Sequence, residues 1–415
     1  MRVLIATAGS HGDVVPYTGL GLSLRSAGHE VSVATHTRYA ELVRRCGLCF
    51  HPLPLDDQAM GEPGRGSGES GHGVLPSPIQ QVRLARQLAP KMADAVADAC
   101  AWGAQVLLVS GSLAPLGLAA AVGLRLPCIG VFLQPLAPTR QFPPVVLAVP
   151  SLGRLGNLTA GYCLQSLLAC AFGPGVRHLR CRLGVTRQAL RRRWATWPVY
   201  HGFSPVVVPR PVDWRPGMEV AGYWWPSQTP DWEPEPRLAD FLQSGPPPVY
   251  VGFGSMAVGD PEPVGRCVAR ALKLAKVRGV VQAGWAGLSV EGDDVLTVGE
   301  VPHAELFPRM SAIVHHAGAG TTAAGLRAGV PSVPVPVLLD QPFWASRLAA
   351  LDVSPGSIPL RRLSAEDLAE AIRKAVRDPR YHRRARQLAA SISAEDGAGP
   401  VLAAVERLAD GGQCR

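Results

Sequence analysis

At 415 residues, with 47% hydrophobic and 18% charged residues, the chain is too long for one typical core and too apolar to be disordered. Its formal charge of +9 rests on arginine, with only four lysines; the clusters at Arg191 to Arg193 and at Arg383 and Arg384 lack interleaved aromatics, which argues against a nucleic-acid partner. Nine scattered cysteines, an odd number, and a first apolar run that stops at Gly9 lead us to expect reduced thiols and a cytoplasmic chain without a signal peptide. The single CxxC, Cys46 and Cys49, has no second pair with which to hold zinc, and no uninterrupted apolar run is long enough to span a bilayer.

The chain opens with a βαβ pattern: Val3 to Ala6 reads as a buried strand, Tyr17 to Ala27 as a helix closed by Gly28, and Val31 to Thr35 as the next strand. The loop Gly9-Ser10-His11-Gly12-Asp13 lacks the GxGxxG dinucleotide fingerprint, which counts against a nicotinamide enzyme. It does set an imidazole and a carboxylate two residues apart at the C-terminal edge of the first strand. Asp13 can cap the helix that follows, and either His11 or Asp13 can act as general base toward a hydroxyl nucleophile. Met60 to Gly73 is a low-complexity loop. Ile79 to Cys100 carries apolar residues at helical spacing, and Val106 to Val109 reads as a strand followed by Ser110-Gly111-Ser112. From Pro135 to Tyr162 the pattern breaks into proline, glycine and bulky apolar residues. Such a stretch either fills a core or walls a lipophilic site; we expect a wall, with Phe142, Pro143 and Leu147 in it.

Prolines crowd Ser204 to Pro248, where the linker between domains is expected, over residues 216–245. A second alternation then begins: a strand at Val249 to Phe253, a helical stripe over Pro261 to Arg278, strands at Gly279 to Ala283 and Val295 to Val298, and a short helix near His303 to Arg309. Ser311 to Val314 reads as a buried strand, Ala317 to Gly320 as a tight small-residue loop, and Thr321 to Ala328 as a helix closed by Gly329 and Pro331. Strand, small-residue loop and helix make an anion site, because the free N–H groups of the helix end carry positive charge and Gly318 and Gly320 let a diphosphate approach. His316, Thr321 and Thr322 would add donors. An ordinary βα turn has the same pattern, but a further apolar run ends at Asp340-Gln341, at the sheet edge where open α/β proteins bind ligands. Ala365 to Val376 and Arg380 to Leu408 supply the last helices. The expectation is an α/β chain of two doubly wound domains with the Gly9–Asp13 and His315–Gln341 loops on a shared cleft.

Several of these motifs together resemble the family 1 glycosyltransferases of GT-B fold, in particular the branch of sterol 3-beta-glucosyltransferases and bacterial natural-product, or antibiotic, glycosyltransferases. The carriers are GSHGDVVPYTGLG at Gly9 to Gly21, PTRQFP at Pro138 to Pro143, SPVVVPRPVDW at Ser204 to Trp214, GYWWP at Gly222 to Pro226, PPPVYVGFGSM at Pro246 to Met256, HHAGAGTTAAGLRAGVP at His315 to Pro331, and DQPFW at Asp340 to Trp344. The resemblance implies two Rossmann-like domains facing a central cleft. Residues 1–215 would bind the acceptor, 246–393 the nucleotide-sugar donor, and 394–412 would form a helix crossing back to the first domain. It also implies roles: Ser255, His316, Gly318, Gly320 and Thr321 at the diphosphate, Asp340 and Gln341 at the sugar hydroxyls, and Val301 and His303 at the nucleobase.

Three positions depart from the pattern. Ala317 stands where many members have glycine, and Ala324 where plant members have a ribose-binding glutamate. Members with histidine at the position of His11 pair it with an aspartate after the strand that here ends in Ser110-Gly111-Ser112, so Asp13 becomes the favoured base, with His11 as alternative, relay or electrophile. The implied reaction is an inverting transfer of a hexose from a UDP- or dTDP-sugar to a hydroxyl of a lipophilic acceptor, with no metal and no cofactor beyond the nucleotide sugar. A nucleotide-sugar 2-epimerase and an idle nucleotide-sugar or lipid-binding protein share the architecture. Membrane contact would be peripheral at most.

Overall fold

The computed structural model describes residues 1–54, 78–226, 232–254, 261–284, 288, 290 and 292–413, so the low-complexity loop at Met60 to Gly73 lies outside the described residues. The first half runs β1 (Arg2–Ala6), α1 (His11–Ser26), β2 (Glu30–His36), α2 (Ala40–Arg45), β3 (Cys49–Leu53), α3 (Pro78–Cys100), β4 (Val106–Val109), α4 (Ala114–Leu124), β5 (Cys128–Phe132), α5 (Gly153–Leu183), α6 (Arg187–Thr196), β6 (Val199–His201) and β7 (Met218–Val220). Its strands form one parallel sheet in the order β3-β2-β1-β4-β5-β6-β7. β4, β5 and β1 after its first residue Arg2 are fully buried apolar runs, the pattern of strands covered by helices on both faces.

The second half runs α7 (Pro236–Gln243), β8 (Val249–Gly252), α8 (Pro261–Ala275), β9 (Gly279–Gln282), β10 (Val295–Val298), α9 (His303–Leu306), β11 (Ala312–His315), α10 (Ala319–Ala328), β12 (Ser332–Pro334), α11 (Gln341–Ala350), α12 (Ala365–Arg377), α13 (Pro379–Ser393) and α14 (Gly399–Gln413). Its parallel sheet has the order β10-β9-β8-β11-β12. Both sheets reverse winding direction once, beside β1/β4 and beside β8/β11. In doubly wound sheets that reversal opens a crevice at the C-terminal strand ends. The loops after β1, β4, β8 and β11 all leave there.

Three boundaries differ from the sequence expectation. The stretch 216–245 is not a free linker, since β7 pairs with β6 in the first sheet and Leu238 of α7 packs beneath the second sheet with Tyr250 and Phe307. Met218 and Val220 at strand spacing, and Leu238, Phe241 and Leu242 at helical spacing, outweigh the prolines between them. α1 begins at His11 rather than at Tyr17, because Ser10 and Asp13 close its first turn ahead of Pro16. The long irregular apolar stretch also ends sooner than expected, since α5 starts at Gly153.

The halves share a hydrophobic core. Phe203, Val207 and Trp214 of the first meet Trp344, Leu348, Leu388 and Ile392 of the second in one cluster. Polar contacts cross as well: Arg347 Nε donates to the Val207 carbonyl at 2.8 Å, and the Ser204 hydroxyl to Glu395 Oε1 at 2.5 Å. α14 leaves the second half altogether. Its Val401, Ala404 and Val405 pack against Val3, Ile5, Val33 and Ile129 of the first sheet.

Candidate active site

Asp13 occupies the third position of α1, with its carboxylate held from three sides. Oδ2 accepts the backbone N–H of Ser10 at 2.9 Å and the Ser10 hydroxyl at 2.8 Å, and Oδ1 accepts the Gln134 amide at 3.3 Å. Gly9 makes this geometry possible: at φ +146° it occupies a region that favours glycine, and a Cβ there would lie 2.5 Å from the carboxylate. The Gly9 N–H donates to His36 Nε2 at 2.9 Å and its carbonyl accepts from Arg38 at 3.1 Å, so the loop is pinned on both sides. The hydroxyls that follow β4 support the same loop, with Ser112 donating to the Ala8 carbonyl at 2.7 Å.

His11, at the first position of α1, has its ring 6.3 Å from that of Tyr39 and makes no hydrogen bond to a described residue. Desolvation by the cleft walls lowers its pKa from the usual 6.5, Glu300 of the opposite half opposes that shift, and Arg38 adds to it. The imidazole is therefore neutral near pH 7.

Across the cleft, β11 delivers His316, and α10 starts at Ala319 with Gly318 as an N-cap that offers no side-chain acceptor. The leading N–H groups of α10 therefore face outward uncapped, the arrangement that binds an anion. His316 lies between two glycines: a Cβ on Gly254 would come within 3.0 Å of its ring, and one on Gly318 within 2.4 Å. Burial drops its pKa to about 4, and its Nδ1 is buried without a partner among the described residues. The turn between is strained, because Ala317 is fully buried at φ +61°. That is the physical reason a glycine suits this position.

The other sequence candidates fall into place unevenly. Thr321 and Gly320 stand at the open end of α10. Thr322 does not serve the anion site as expected: a helix turns about 100° per residue, and this step carries it fully into the core. Ser255 lies outside the described residues. Leu339, exposed at φ +55°, turns the chain so that Asp340 and Gln341 begin α11. Asp340 Oδ2 accepts the Trp344 indole N–H at 2.8 Å. Burial raises the Asp340 pKa, the Trp344 bond opposes this, and the charge of Asp13 raises it further, which sets the two carboxylates in electrostatic reach across the cleft. Gln341 is buried, and its Oε1 accepts the N–H groups of Val337 at 2.7 Å and Leu338 at 3.1 Å. That leaves its amide nitrogen as the donor for a ligand.

His303 opens α9 and stacks on Phe307 with ring centroids 4.3 Å apart, while its Nε2 lies 3.3 Å from the Tyr250 hydroxyl. Burial brings its pKa to about 4, and His316 and His11 push the same way. The ring thus keeps company with His316, and Val301 beside it packs into the Tyr250 and Phe307 cluster. On the first-domain side, Phe142 and Pro143 line a narrow recess with Pro138, Asn157 and Gly161. Phe142 also meets Phe343, two residues after Gln341, with centroids 5.2 Å apart. Leu147 stands away from the recess, 45% exposed, because it ends a short turn that faces outward. Sequence reasoning missed Gln134 and Phe343. Gln134 lies two residues past the C-terminal end of β5, at the sheet edge to which the strand order points.

Comparisons with known proteins give the family. The profile of the glycosyltransferase family 28 N-terminal domain matches residues 3–113, and that of the erythromycin biosynthesis protein CIII-like C-terminal domain matches residues 283–408. The chain is 34% identical to the O-mycaminosyltylonolide 6-deoxyallosyltransferase of Streptomyces fradiae over 99% of its own length and 98% of that protein. The chain belongs to the GT-B glycosyltransferases. This GT-B chain is also 32% identical to a sterol 3-beta-glucosyltransferase of Arabidopsis thaliana, over 98% of its length but only 66% of the plant protein. Glycosyltransferase VinC, solved in complex with dTDP, shares the fold with a TM-score of 0.65 at 20% identity, covering 99% of this chain and all of that one. The first profile spans the Gly9–Asp13 loop. The second spans His303, α10 and Asp340-Gln341.

Proposed function

We propose that the chain is an inverting glycosyltransferase moving a hexose from a UDP- or dTDP-linked donor to a hydroxyl of a lipophilic acceptor. The observation that carries this reading is the meeting, in one cleft, of Asp13 with the uncapped α10 end, His316 and Asp340-Gln341. The acceptor hydroxyl gives its proton to Asp13 as its oxygen attacks the anomeric carbon. The bond from that carbon to the diphosphate breaks on the opposite face, and the leaving diphosphate takes its charge onto the α10 N-terminus and His316. Charge stabilisation on the leaving group is the larger electrostatic task, and preorganised N–H groups need no rearrangement to meet it. Asp340 and the Gln341 amide hold sugar hydroxyls, and His303 supports His316.

Relatives named for sterol and macrolide transfer support a polycyclic or macrocyclic alcohol as acceptor, and the dTDP held by VinC supports a thymidine donor beside the uridine one. The eight free thiols among the described residues suit a reducing cytoplasm. The test pairs UDP- and dTDP-sugars with a panel of lipophilic alcohols, reads product mass, and assigns anomeric configuration by NMR. Transfer with inversion supports the proposal; retention, or donor consumption without a glycosylated product, overturns it. D13N should lower kcat by roughly 10²-fold or more, the scale of a lost general base, while H11A loses less. Full turnover by D13N together with a collapse in H11A would transfer the base role to His11. Because the helix end and His316 carry the leaving charge, turnover is expected to persist in EDTA.

A further inference from the structure

α5 is long and apolar enough to cross a membrane by length and composition, yet only 17% of its most apolar window is buried. It does not stand alone: Asn157, Gly161, Ala171, Gly175 and Leu179 are buried, and α3 and α4 pack against that side. α3 and α4 tie α5 along one face into the first half, while its opposite face is exposed among the described residues. Leu155 and Tyr162, seven residues apart, lie on that outer face and are 72% and 57% exposed. Leu167 on its flank is 48% exposed, and the segment leading into the helix adds Leu147, Val149 and Leu152, all exposed. A contiguous apolar patch of this kind marks an interaction surface.

Charge indicates what covers it. From Ala99 to Val212 the chain has no aspartate or glutamate but eleven arginines. Arg154 and Arg177 on α5 and Arg83 and Arg86 on α3 are exposed, and Arg86 donates to the Cys170 carbonyl at 2.9 Å, so this rim adjoins the patch. Among the described residues, Asp94 and Asp98 of α3 are tied to Arg182 at 2.5 and 2.8 Å, and Asp213 is occupied by the Thr139 hydroxyl and the Arg140 N–H, both at 2.7 Å. Exposed leucines and a tyrosine ringed by arginines match the surface of an anionic bilayer, where apolar side chains enter the headgroup boundary and cations meet phosphates. We infer that the outer face of α5 docks on an anionic lipid surface. The same helix presents Asn157 and Gly161 to the Phe142 recess on its inner side, so α5 stands between that recess and the docked surface. The inference rests on this surface and is independent of the transfer reading, since lipid binding needs neither donor nor acceptor.

Flotation of the full chain with phosphatidylcholine vesicles, with and without phosphatidylglycerol, tests it. Wild type should float with the anionic vesicles and partition less as salt rises. L155E/L167E should lose about ten-fold in partitioning, with thermal midpoint and nucleoside diphosphate binding unchanged as proof of folding, and R83E/R154E should lose the preference for anionic lipid. Wild-type protein that stays in solution, or an L155E/L167E variant that floats like wild type, overturns the inference. So does light scattering that finds a dimer dissolved by L155E/L167E, which would assign the face to a second copy.

Discussion

Single residues hold the cleft in conformations that ordinary side chains resist. Ala317 at φ +61° accepts a strain of about 1 kcal/mol that glycine would not. A317G is therefore expected to raise stability by roughly 0.5–1 kcal/mol, read as a higher urea midpoint. Four imidazoles govern the response to acid. His201, His303 and His316 are lowered to about 4 and His315 to about 3, each chiefly by burial, against an ordinary 6.5. In the unfolded chain these groups take up protons as pH falls below about 6.5, while the folded chain resists until about 4. Their contribution to stability is thus present above pH 6.5 and lost on the way down. Thermal midpoints measured from pH 7.5 to 4.5 should fall, and H201Q, which keeps a donor for the Glu219 carbonyl, should flatten the fall. A midpoint independent of pH would contradict this. The sequence showed His316 as a donor-site candidate because a small-residue loop and a helix follow it. The residue pattern alone did not distinguish Thr321 from Thr322, since that choice depends on the rotation of the helix about its axis; only the resemblance pointed to Thr321.

Among the elements, α1 and α5 teach different things about what a pattern carries. Pro16 argues for a helix that starts after it, yet the Ser10 and Asp13 pair closes a turn before it, and a local cap outweighed a local breaker. The base candidate was legible from the residue types, and its second role as the closure of a helix was weighed with it. S10A removes both donors' partner chemistry only in part, since its N–H remains. It should cost about 1 kcal/mol and disturb turnover more than donor affinity. α5 was not read from the sequence, because its first residues belong to the stretch expected to be irregular and its glycines and leucines show no helical stripe. Its fit is nevertheless close: a Cβ on Gly175 would stand 2.4 Å from the Ala89 carbonyl of α3. G175A should therefore destabilise by about 1–3 kcal/mol, against alanine's intrinsic helix advantage of about 1 kcal/mol, as circular dichroism melts can determine.

For the whole molecule, two α/β units and the place of their cleft could be read from strand and helix periodicity together with the rule for strand ends. The inter-domain core could not, because Phe203, Val207 and Trp344 read only as generic apolar residues until both halves are in hand. The boundary near 216–245 went astray for the same reason: proline content marks a lack of regular structure, while β7 is held by its sheet partner. Val405 offers a test of how the halves depend on one another. It is fully buried against the first sheet although it lies near the end of the chain. V405D buries an unpaired charge and should cost more than about 3 kcal/mol, with limited proteolysis releasing fragments from the first half before the second.

The return of α14 also bears on how the protein is made. Domains generally fold as they leave the ribosome, N-terminal first. Here the first sheet keeps an open apolar face over Val3, Ile5 and Val33 until Val401 and Val405 have been translated. Nascent chains stalled before Gly399 should accordingly remain bound to chaperones, and the emergence of α14 is the event that completes the oldest part of the fold.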